Sequence, residues 1–440
     1  MKILSTQGLS WPLSSFFMVT DMAIGGMVTL PGAICRIGLS RGLALLLLSG
    51  LFCCCSAILL GQCWLFVLDK SPQLRQKHCR RPYAEIGFCA LGRWMSILVS
   101  VGVNVTQFGI ATVFLLLCSV NLSRICSTLF HADLSQCLLL LILALLLLPL
   151  TLLKSPNEFW PILFGGMICT VATFGIILFG ISIDLLNVDK NATSPAAPPI
   201  TLPQSNFNNY MNAIGTLLFA FGGHPVFPSI QHDMKVPADF HKSAIFGFSV
   251  ITLFNFLVVL SSSFAYGDTL SDSVVGSIRT AWVQQAALAL ITANSLLGIT
   301  LVINPLNQEA EELFGTPQEF GIARLCVRSA VLASVLFVAQ SVPNFGPFLG
   351  FVGSSTVPLV ALILPFLFHF VLSNFSHETN EQRQSANAWK KEANSVESAD
   401  GHTRAFMDLI RFILPMEEPE GSEEREGAKA ETEEGAEEAG

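Results

Sequence analysis

FAFGGHPVFP, residues 219–228, is the stretch on which the fold turns. It lies inside an otherwise apolar run, yet it holds two glycines, two prolines and a histidine, where a helix crossing hydrocarbon tolerates few of them. Proline removes a backbone donor and displaces the carbonyl four residues earlier, and glycine relaxes the helix around it. Pro225 is therefore expected to free the carbonyl of Phe221, and Pro228 that of His224. Freed groups facing lipid are very costly, so such a break faces protein or a water-filled cavity. Pro225 also suits the first position of a new helical segment, which leaves Gly222 and Gly223 in the unwound link.

The chain around this stretch has 440 residues, 52% of them hydrophobic and only 13% charged, with a mean hydropathy of +0.58. A soluble domain with that composition would have to hide far more apolar surface than such folds do. Apolar runs near the roughly 20 residues that cross a bilayer recur along it. They fall at 14–35, 43–68, 92–118, 137–153, 160–184, 211–230, 243–265, 282–302, 323–342 and 347–373, which predicts an all-α polytopic membrane protein of ten spans. A short cytosolic N-terminus (1–10) precedes the transmembrane domain (11–373), and a tail (374–440) follows it. Lys and Arg favour inner loops by ten to five when both termini are placed in the cytosol. The 12 cysteines fall mostly within spans, so a disulfide framework is not expected, and buried reduced thiols are the commoner fate. No secretory leader is legible at the extreme N-terminus.

The tail differs from the body. Residues 374–440 carry seven basic and seventeen acidic side chains, whereas residues 1–373 carry seventeen and fifteen, so the net charge of −8 arises in the tail. A Glu- and Gly-rich end of this kind buries too little apolar area to fold, and reads as a solvated cytosolic tail or a docking segment for a cytosolic partner.

The break at 222–228 has one counterpart. In the first span, GGMVTLP (25–31) again places a proline four residues beyond a glycine pair, and Pro31 is positioned to free the carbonyl of Met27. Each motif opens a group of five spans, and five is odd, so the second group (210–373) must be inserted upside down relative to the first (11–186). Inverted repeats whose broken helices meet near the bilayer midplane are the design of secondary transporters. Exposed amides attract anionic substrate groups and freed carbonyls accept cations or amines, so a twice-broken helix suits a zwitterion.

Polar residues within spans mark candidate paths. Ser100, Asn104 and Gln107 share a helical face in the third span, and Gln285, Thr292 and Ser295 do so in the eighth. Such stripes either line a pathway or bind neighbouring helices. Thr292 and Ser295 also carry hard oxygen donors for a cation. Asp21, just before the first break, is a proton acceptor, an ion partner or a cap on backbone amides. His224 either titrates and couples proton movement or donates to a freed carbonyl. No phosphate-cradling loop and no paired histidines at zinc spacing occur, so neither a nucleotide nor a metal cofactor is expected. The energy source is then an ion gradient, H+ or Na+, or exchange.

The stretch IGTLLFAFGGHPVFPSIQHDMKVPADF, with VTDMAIGGMVTLP, RRPYAEIGFCALGRW, INPLNQEAEELF and SVPNFGPFLGFVGSSTVPLVALILPFLF, resembles the amino acid/auxin permease family, especially its vesicular-type members, within the amino acid–polyamine–organocation superfamily. The resemblance spreads over nearly all of residues 10–373. It implies a leucine-transporter-like five-plus-five fold with broken helices 1 and 6, and secondary active transport of small neutral amino acids by symport or antiport. By position, Gly25, Gly26 and Met27 resemble the family's substrate-binding turn in the first helix, and Phe221, Gly222, Gly223 and His224 the facing turn in the sixth. Ile24 stands where relatives carry a small residue. The usual eleventh span is missing, since Ala405 to Leu414 is too short and too charged to cross. The expected partners are thus an amino acid and the lipid bilayer, not nucleic acid, in a plasma, vesicular or lysosomal membrane. A rival reading is an amino acid sensor that signals with little transport. Asn191, in an outer-loop NAT sequon, is the candidate glycosylation site, while Asn121 lies too near the membrane.

Overall fold

The computed structural model describes residues 8–75, 79, 81–151, 156–188, 206–316, 321–342 and 345–374. Asn191 and nearly the whole tail, including Ala405 to Leu414, lie outside the described residues, and Ile24 is described by its backbone alone. The chain divides into a unit at 1–373 and another at 374–440.

The described residues are almost entirely helical. In chain order they form α1 (Trp11–Ile37), α2 (Leu39–Lys70), α3 (Pro82–Leu91), α4 (Arg93–Leu129), α5 (Gln136–Thr151), α6 (Pro156–Val188), α7 (Phe207–Ala220), α8 (Phe227–His232), α9 (Phe240–Tyr266), α10 (Val274–Ser277), α11 (Ala281–Leu313), α12 (Ile322–Ser341) and α13 (Phe345–Pro358), which runs on through a π turn at Leu359–Ile363. Seven of these segments are long and apolar enough to cross a membrane, and the bent α1 makes an eighth. The 16-residue α5 and the interrupted pair α7–α8 take the fourth and sixth places in the expected order of ten. Large apolar side chains such as Leu51, Leu145, Phe337 and Phe370 remain exposed. That surface suits hydrocarbon, because lipid tails take the place of a protein partner.

Turns between helices are tight where glycine allows it. Gly38, at φ 95°, joins α1 to α2 as a single residue, and Gly92, at φ 81°, joins α3 to α4 in the same way. Both are left-handed conformations that cost a side chain dearly, and both glycines close back on the helix they end, Gly38 on the Cys35 carbonyl and Gly92 on that of Phe88.

The packing has an internal two-fold logic. Exchange α1 for α7–α8, α2 for α9, α4 for α11, α5 for α12 and α6 for α13, and the neighbours reproduce themselves. Thus α1 packs on α6 as α7 does on α13, α6 on α11 as α13 does on α4, and α4 on α5 as α11 does on α12. The pairs α1–α7, α2–α9, α4–α11 and α5–α12 are their own images. Even the short helices correspond, α3 leading into α4 and α10 into α11. With five passes in each half, the two halves run through the membrane in opposite senses, which is the five-plus-five inverted repeat.

Polar ties fix the two ends of the bundle. At the end bearing Trp11, the Leu9 amide donates to the Asp233 carbonyl and the Lys235 amide to the Leu9 carbonyl, each at 2.8 Å, while Ser243 Oγ donates to the Trp11 carbonyl at 2.9 Å. Nearby, buried Glu311 accepts from Arg324 Nε at 2.9 Å and Arg328 Nε at 2.5 Å, joining α11 to α12. At the other end, buried Asp184 of α6 accepts from Tyr266 Oη (2.8 Å), the Arg279 amide (2.7 Å) and Thr280 Oγ1 (2.9 Å). A carboxylate with three donors is well satisfied, so this knot locks α6, α9 and the start of α11 together.

Candidate functional site

The sixth pass breaks where the glycines and prolines sit, though two residues later than Pro225 alone suggests. Helix α7 stops at Ala220, the Phe221 amide still reaches the Leu217 carbonyl, and Gly222 bonds only to Phe219 in a tighter turn. Helix α8 starts at Phe227 with Pro228 in its first turn, so Pro228 rather than Pro225 takes the position that needs no amide. Pro225 lies in the turn between them, where Phe227 donates to the His224 carbonyl at 3.3 Å and Val226 to that of Gly223 at 3.2 Å. The His224 carbonyl is therefore engaged. Among the described residues, the amides of Gly223 and His224 and the carbonyls of Ala220, Phe221 and Gly222 make no backbone hydrogen bond. Two amides and two carbonyls, those of Ala220 and Gly222, are thus left unpaired within one turn of chain in the interior of the bundle, while the Phe221 carbonyl meets the His224 ring.

The first helix takes a different course. It stays helical from Trp11 to Ile37 and bends by 50° between Ala23 and Gly25, so its break is a bend and not an unwound turn. The Gly25 carbonyl accepts Thr29 Oγ1 at 2.8 Å, and Pro31 is held inside the helix. Gly25 and Gly26 serve close approach. A Cβ on Gly25 would run into the ring of Phe219, and one on Gly26 would lie 2.6 Å from Cβ of Ala220. The two glycines let α1 press onto α7 just above the break, and Met27 turns into the core at 2% exposed.

Asp21 completes the junction. It sits one turn before the bend, and its Oδ2 lies 2.8 Å from where a Cβ on Gly223 would be. Among the described residues its carboxylate has neither an ion pair nor a hydrogen bond, so it does not cap backbone amides. An acid from the first helix is therefore set against the opened backbone of the sixth. His224 faces the other way: fully buried between Phe227 and Phe248, it brings Nε2 to 3.1 Å from the Cys53 carbonyl of α2. Through the Cys53 carbonyl it ties the break to α2, and the Phe221 carbonyl of the break is its other hydrogen-bond neighbour.

The polar stripes are only partly drawn into this centre. Ser100 Oγ donates to Glu309 Oε1 at 2.5 Å, and Arg81 holds Glu309 and Glu312, so Ser100 belongs to an ionic cluster at the Trp11 end. The Glu312 carboxylate beside Arg81 raises that guanidinium's already high pKa. Further along the same face, Asn104 Oδ1 and Gln107 Nε2 are buried without a partner. In α11, Thr292 donates to its own helix at the Leu288 carbonyl, whereas Ser295 Oγ is buried against the Cys118 thiol of α4. Asn121 is 3% exposed within α4, no place for a glycan. Cys126 and Cys137 are free thiols. The sequence reading missed Phe219, which fills Gly25, and Glu309. A charged residue four places beyond Pro305 was the available signal for the second.

Comparison with known proteins follows the same line. Residues 7–389 match a family model described as "Transmembrane amino acid transporter protein". Amino acid transporter AVT1B of Arabidopsis thaliana is 27% identical over 395 residues, covering 82% of this chain and 68% of the relative. AVT1D and AVT1E of the same plant are each 27% identical over 353 residues, covering 78% of this chain and 60% and 62% of the relatives. The chain thus spans about three fifths to two thirds of the length of these curated relatives. Among solved structures, a mutant manganese transporter of Eremococcus coleocola superposes with a TM-score of 0.49 at 14% identity, covering 83% of this chain and 81% of that one. A Na+-coupled sialic acid symporter in a substrate-bound outward-open state gives 0.41 at 11% identity, covering 84% and 80%.

Proposed function

This chain belongs to the transmembrane amino acid transporter family, whose members are multi-pass membrane transporters and not enzymes, and on that premise we propose that it moves small neutral amino acids by alternating access, coupled to a proton or sodium gradient. The observation that carries this reading is the junction at Gly223, where the unpaired carboxylate of Asp21 meets a turn with two spare amides and two spare carbonyls. An α-amino acid presents a carboxylate and an ammonium on one carbon. The amides of Gly223 and His224 suit the first, and the carbonyls of Ala220 and Gly222 with Asp21 suit the second. Small substrates fit best, because Phe219 and Ala220 already occupy the faces of Gly25 and Gly26. In this assignment Gly25, Gly26, Met27, Phe221, Gly222, Gly223 and His224 frame the substrate.

Coupling falls to Asp21 if the ion is a proton, since an acid inside a span that gains and loses a proton changes what it attracts. For sodium, the buried Ser295 Oγ and the Thr292 hydroxyl are the hard donors on α11. Purified protein in liposomes, screened with labelled glycine, alanine and serine under an imposed proton gradient and then a sodium gradient, tests the reading. Accumulation that needs one gradient supports it and names the ion. Binding with no flux overturns it in favour of a sensor.

A further inference from the structure

Helix α9 crosses the bundle against α1, α2 and α6, and its buried face reads Ile251, Asn255, Val258, Val259 and Ser262. One carboxamide sits on this surface at mid-helix, between Ile251 and Val258. Asn255 is 0% exposed, and neither its Oδ1 nor its Nδ2 has a hydrogen-bond partner. A carboxamide brings two N–H donors and an acceptor with two lone pairs, and leaving such groups unmade in a buried site is costly. In the hydrocarbon layer no bulk water relieves that cost.

An intramembrane asparagine commonly joins helices, and that role needs a polar partner on the facing helix. Here the facing position is Gly26. Asn255 Nδ2 lies 3.4 Å from where a Cβ on Gly26 would be, and Ala220 Cβ lies 2.6 Å from the same point. The carboxamide therefore stands at the bend of α1, beside the last residue of α7 before the sixth pass opens. Glycine at 26 keeps any side chain from closing over it.

We propose that Asn255 is a third wall of the binding site, its amide donating to the substrate carboxylate and accepting from the substrate ammonium. The proposal rests on the amino acid reading above and adds a residue from a third helix to it. The oxygen and nitrogen of one amide are spaced much like the two charged groups of an α-amino acid, so one side chain addresses the feature common to all such substrates. Asn255 then reads the head group, leaving side-chain selection to Phe219 and its neighbours.

The test uses the full chain in lipid nanodiscs and in liposomes, comparing wild type with Asn255→Leu, a near-isosteric apolar change. Without ligand the variant should melt at or above the wild-type temperature, because an unmade polar pair is removed. KM for alanine exchange should rise at least tenfold while kcat stays within about threefold. Melting of the wild type should also rise with alanine, and not with ethylamine or propionate, which each carry half of the head group. A variant that melts well below wild type shows a structural partner and overturns the proposal, as does an unchanged KM. If no amino acid stabilises or crosses with the wild type, the transport reading falls, and the ligand-free melting comparison still decides whether the amide is unspent.

Discussion

The motifs GGMVTLP (25–31) and GGHPVFP (222–228) share a glycine pair and a proline at one spacing, yet the first bends a continuous helix and the second dissolves one. The difference lies between the shared residues. The second motif has an extra proline, Pro225, three residues before Pro228, so amides are missing at two places within one turn and the helix cannot bridge them. The first has a single proline, and Thr29 lends its hydroxyl to the Gly25 carbonyl. Glycine pairs at a membrane midplane therefore license close approach, and it is the density of proline that opens the backbone.

The comparison can be broken at several points. Gly223→Val places a branched side chain between Asp21 and the ring of Phe227, both within 3.0 Å of its Cβ. Uptake should vanish while the protein still inserts, measured as flux at equal membrane abundance by surface labelling; wild-type flux would remove the junction from the mechanism. Val28→Pro supplies the first motif with the proline it lacks, in the register of Pro225. It should cost about 3 kcal/mol and turn the bend into a break, seen as faster amide exchange over 24–31. Unchanged exchange there would show that something other than proline density distinguishes the halves. Asp21→Asn keeps the shape of the junction and removes its charge. Gradient-driven accumulation should collapse towards equilibration, and KM for alanine exchange should rise because the substrate ammonium loses its counter-charge; retained accumulation would place the coupling elsewhere.

Much of this was legible in the sequence, for identifiable reasons. Long apolar runs place the passes because backbone groups in lipid leave the helix as the economical choice. The break in the sixth pass was legible because proline acts through its own missing amide. What could not be read depends on neighbours. The bend in α1 depends on Phe219 and Ala220 filling its glycines, and no local pattern reports that contact. Ser100 lies on the face that periodicity assigns, yet its partner Glu309 is 209 residues away, which turns a supposed path residue into an anchor of the Trp11 end. Asn255 is a single amide in a long apolar run, and only the structure shows that nothing answers it.

The short bridge between Leu9 and Met234 moors the root of α1 to the chain between α8 and α9, and Ser243 adds a second line through the Trp11 carbonyl. A pole moored at its foot to its neighbours cannot swing alone. Any tilt of α1 at that membrane face must carry α8 and the start of α9 with it, so three pieces of chain from opposite halves behave as one paddle. Gly8 is the eyelet of the mooring, since any side chain there would meet the Lys235 amide nitrogen at 2.7 Å and the Asp233 carbonyl at 2.9 Å. A reporter group fixed near this point would register the stroke of the whole paddle, and a bulky residue at position 8 would cut α1 loose to move by itself.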